Sequence, residues 1–106
     1  GDTAVASITN GYGGKFAAVA VKDGQYVIVD FKTSSGIREE AALQAAAYGR
    51  AFEETYGVSA PEGLIVRFDE LTPTFETKWV KDMDEAFQGF LAAKKLQTIV
   101  TGALFT

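Results

Sequence analysis

Asp30 and Lys32 stand two residues apart in the segment Ile28 to Ser34, IVDFKTS, and an acid and a base at that spacing can act on one small substrate. On a β-strand, residues i and i+2 project from the same face, so both side chains would meet one metal ion, one water and one phosphate together. Phosphodiester hydrolysis with an oxygen-bound metal needs a carboxylate to hold the ion, a cation for the developing charge and a polar group to orient water or substrate. Asp30 and Lys32 meet the first two needs. Phe31 between them is expected to point into the core and leave its backbone carbonyl as an additional oxygen ligand. Gln44 and Tyr48, four residues apart, share one face of a following helical segment, where by themselves they read as a solvated Gln and a core-edge Tyr. Taken alone, an Asp-x-Lys triplet also reads as an ion pair at a strand end, worth 0 to ~1 kcal/mol.

The elements that must position these residues can be read from periodicity. Thr3 to Thr9 reads as a strand that stops at Asn10, Gly11 and the Gly13-Gly14 pair. Lys15 to Lys22 and Gln25 to Thr33 flank Asp23-Gly24, a dipeptide suited to a two-residue hairpin turn. On the second of these strands Tyr26, Ile28, Asp30 and Lys32 share one face, and Val27, Val29 and Phe31 the other. Arg38 to Tyr56 is free of proline and rich in Ala, Glu, Leu, Gln and Arg, which predicts a helix ended by Gly57. Leu64 to Phe68 and Thr74 to Val80 predict a second hairpin, with Trp79 expected in the core. Asp82 to Glu85 has N-capping spacing ahead of a last helix running to about Ile99. The order βββαββα implies an α/β (α+β) domain around one mixed sheet flanked by helices.

Composition narrows the chemistry. A chain of 106 residues with 47% hydrophobic content is expected to form one domain, 1–106. With no cysteine and no histidine, disulfides, thiolate sites and imidazole bases are excluded, so a bound metal would be held by oxygen: Mg²⁺, Mn²⁺ or Ca²⁺. A net charge of −4 argues against a whole-surface nucleic-acid binder and leaves room for a local basic path. No signal peptide or membrane span is evident, so the default expectation is a cytoplasmic location with no membrane partner. The start on a strand is compatible with an N-terminally truncated domain. An exposed apolar surface left by truncation would admit a homo-oligomer.

The strand ending Asp30-Phe31-Lys32-Thr33, followed by Gln44-x-x-x-Tyr48, resembles the RecB-like exonuclease branch of the PD-(D/E)XK nuclease superfamily, with specific motifs from Gly11 to about Tyr56. The resemblance implies a restriction-endonuclease-like fold and Mg²⁺- or Mn²⁺-dependent hydrolysis of DNA, single-stranded or at a duplex end, alongside a helicase or recombination partner. It further implies that Asp30 ligates the metal, Lys32 polarises the nucleophilic water, Thr33 shapes the loop, and Gln44 with Tyr48 orients the site or the DNA. Lys15, Arg38 and Arg50 are the further candidates for phosphate contact.

Two departures qualify the resemblance. The family's first metal-binding Asp should fall three residues after Gly14, and that position is Ala17. A methyl group cannot ligate a cation. The family's Glu-bearing helix ahead of the first strand also has no counterpart here. The expectation is therefore an impaired or inactive nuclease that binds metal weakly or not at all. The alternative is a nonenzymatic module that keeps the fold and binds nucleic acid.

Overall fold

The computed structural model describes residues 3–10, 16–33, 36–37, 39–69, 71–102 and 104–105, with side chains described from residue 17 onward. Its elements are β1 (Thr3–Asn10), β2 (Phe16–Lys22), β3 (Gln25–Lys32), α1 (Glu39–Tyr56), β4 (Glu62–Asp69), β5 (Thr74–Trp79) and α2 (Met83–Thr101). The order is the one that periodicity predicts, with ends differing by two residues or fewer.

Local chemistry accounts for the boundaries. Asp23 (φ 52°) and Gly24 (φ 77°) both take left-handed backbone, the conformation whose twist matches a two-residue β-hairpin. Gly57 (φ 64°) ends α1, its N–H donating to the Glu53 carbonyl at 2.8 Å. Asp82 caps α2, its carboxylate accepting from the Glu85 N–H at 3.1 Å.

The five strands lie in the order β1-β2-β3-β4-β5. β1, β2 and β3 form an antiparallel meander, β4 joins β3 in parallel, and β5 returns antiparallel to β4. Antiparallel neighbours need only tight turns, whereas the parallel step requires a long crossover, which α1 provides. α1 packs on β3 and β4, and α2 packs on α1.

The core lies where α1 meets the sheet, with Val19, Ile28, Ala41, Ala45 and Ile65 at its centre. Small residues let the helix approach closely. A Cβ added at Gly49 would sit 3.3 Å from Ile28 Cγ1 and 3.0 Å from Met83 Cε. The face under α1 is thus the one carrying Ile28, Asp30 and Lys32. The expectation that Phe31 points into the core is corrected: it lies on the opposite face and is 41% exposed. Trp79 is likewise not core, being 48% exposed on that same face. The reason is shared, since both helices stack on the other side of the sheet.

Candidate active site

β3 is central in the sheet, and its register fixes the surroundings of Asp30. Ala17 of β2 pairs with Asp30 on one side, and Ile65 of β4 pairs with it on the other. Residues directly opposite in adjacent strands project to the same face. Asp30 therefore points up beneath α1 between a methyl group and an isobutyl-sized side chain, and it is fully buried.

A carboxylate so placed needs compensation. Lys32 Nζ lies 3.2 Å from Asp30 Oδ2, with its own side chain only 12% exposed. The pair that alone would read as a surface contact is thus buried at its acidic end. Tyr48 completes the local electrostatics from above. Burial raises the pKa of its phenol above the usual value, and the negative charge of Asp30 raises it further. Tyr48 packs against the core cluster, whereas Gln44 is half-buried one turn earlier on α1.

One further residue belongs to this group and escapes sequence reasoning. Arg67 of β4 pairs in register with Lys32, and Glu76 of β5 pairs with Arg67. The Arg67 guanidinium is 3.1 Å from Glu76 Oε2 through Nη2 and 3.7 Å from Asp69 Oδ2 through Nη1. Lys32, Arg67 and Glu76 thus form a charged row across β3, β4 and β5, one step beyond Asp30. The available signal was an arginine inside the apolar run Leu64 to Phe68, but only the parallel register places it beside Lys32.

The remaining candidates fall elsewhere. Thr33 follows β3 and is exposed. Phe31 pairs with Phe16 and Val66, so its backbone groups lie between two neighbouring strands. Arg50 is held away from Asp30: it lies 3.8 Å from both Glu53 and Asp84, and its guanidinium sits 4.1 Å over the Phe87 ring. Lys15 and Arg38 lie outside the described residues.

Among the described residues the donors around Asp30 make a poor site for a hard divalent ion. Such ions take six or more oxygens: Ca²⁺ draws several from carboxylates and carbonyls, and Mg²⁺ one or two from carboxylates with the rest from water or phosphate. Here Asp30 has an ammonium against it, and the opposing position carries Ala17. Among the described residues no group of three or more acidic side chains converges on one point. A cleft of about 220 Å³ opens beside Ala17, but Val19, Ile28, Tyr48, Phe52 and Tyr56 give it mostly apolar walls.

No protein-family model matches the chain, and no curated protein sequence matches it significantly. Among the described residues no helix is long and apolar enough to cross a membrane.

Proposed function

We propose that this chain is a restriction-endonuclease-like domain of the RecB nuclease type, built for DNA phosphodiester hydrolysis and disarmed at Ala17. The carrying observation is the pairing of Ala17 with Asp30, which puts a methyl group where a second carboxylate would face the first. The meander, the α1 crossover and the parallel β4 support the reading by bringing Asp30 and Lys32 of β3 beneath Tyr48 of α1.

In this reading Lys32 and Arg67 form the cationic side of a phosphate site, and Tyr48 supplies a neutral hydroxyl donor. A fully built site would use its metal to polarise the phosphate and activate water. Lacking the opposing carboxylate, this chain retains only the cationic and hydrogen-bonding groups.

Ala17→Asp tests the reading. It places two carboxylates opposite each other on adjacent strands, which repel unless a cation lies between them. Without metal the variant should be less stable than the wild type, and Mn²⁺ should selectively restore its melting temperature. It should then cut single-stranded or duplex-ended DNA at a rate the wild type does not reach. Wild-type cleavage equal to that of the variant, or a variant indifferent to Mn²⁺, would refute the proposal.

The Asp30–Lys32 pair also favours a second reading, a DNA-binding module without metal chemistry, because the acid is already neutralised. DNA affinity that falls steeply with salt and ignores Mn²⁺ would mark that outcome.

A further inference from the structure

We draw no further inference here: the strongest candidate, the apolar cleft between α1 and β2 walled by Val19, Phe52 and Tyr56, carries nothing because nothing in the structure shows what covers it.

Discussion

Each face of the sheet departs from the usual division of labour at a few positions, although the apolar core around Val19, Ile28 and Ile65 lies on the covered face and Ala18, Ala20 and Val27 are buried on the other. The face under α1 holds a fully buried carboxylate, Asp30, with Lys32 and Arg67 close to the same depth. The opposite face holds apolar side chains open to solvent, Phe31 at 41%, Trp79 at 48% and Phe75 at 71%. Elementary burial energetics would place them the other way round. The outer face limits its own exposure by local packing: the Lys22 ammonium lies 4.4 Å from the Trp79 ring, and Phe68 and Phe75 pair at 5.1 Å. The inner face instead depends on charge compensation, so substitutions should cost far more beneath α1 than on the open side.

The largest effect is expected at Lys32. Lys32→Met removes the cation while leaving the Asp30 carboxylate buried, a change that costs about 3–5 kcal/mol when one partner of a buried pair is lost. Urea unfolding at neutral pH measures it. The double change Asp30→Leu with Lys32→Met should recover most of the loss, because an apolar pair removes the buried charge. A single variant as stable as the wild type would show that Asp30 is compensated by other groups.

Next in size is the helix–sheet contact that encloses the pair. Gly49→Ala adds a methyl 3.0 Å from Met83 Cε and 3.3 Å from Ile28 Cγ1. The Met83 end can shift and Ile28 cannot move as freely, so a cost of ~1–3 kcal/mol is expected from overpacking. Because alanine also gains about 1 kcal/mol over glycine inside a helix, a net gain of that size would mean that α1 rides higher on the sheet than its small residues imply.

These expectations rest on features of unequal legibility in the sequence. The hairpin at Asp23-Gly24, the end of α1 at Gly57 and the cap at Asp82 are local, and local chemistry specifies them. The common face of Asp30 and Lys32 follows from strand periodicity alone. Which face α1 would cover does not, because Val27, Val29 and Phe31 are more apolar than Ile28, Asp30 and Lys32 and favoured the wrong side. Trp79 misled for the same reason. Arg67 was hidden because parallel pairing joins residues about 35 positions apart through a crossover, and no local pattern encodes that register. The pairing of Ala17 with Asp30 was accessible only because a short turn joins their strands, so counting back from it sufficed.

Tyr48 sharpens the comparison through pH. Its folded-state pKa is raised by burial and then by the charge of Asp30, so the folded protein holds the phenolic proton more tightly than the unfolded chain. That contribution is fully present below the unfolded value of about 10 and is lost as pH rises through the higher folded value. Denaturant midpoints above pH ~10 should therefore fall more steeply for the wild type than for Tyr48→Phe. At neutral pH the substitution should change stability by ~1 kcal/mol or less. Identical alkaline slopes would place Tyr48 outside the field of Asp30.

The smallest effect is expected on the open face. Phe75→Ser removes a ring that is 71% exposed and touches Phe68 at 5.1 Å between centroids. Most of its surface is already in water, so the loss is confined to the aromatic pair, about 1 kcal/mol. The measurement is most informative across protein concentration. A cost that stays near this value at every concentration means that the outer face remains open to solvent. A cost that grows with concentration means that another molecule covers Phe75. In that case the contrast between the two faces would hold only for the isolated chain, and the aromatic side of the sheet would be an interface in its own right.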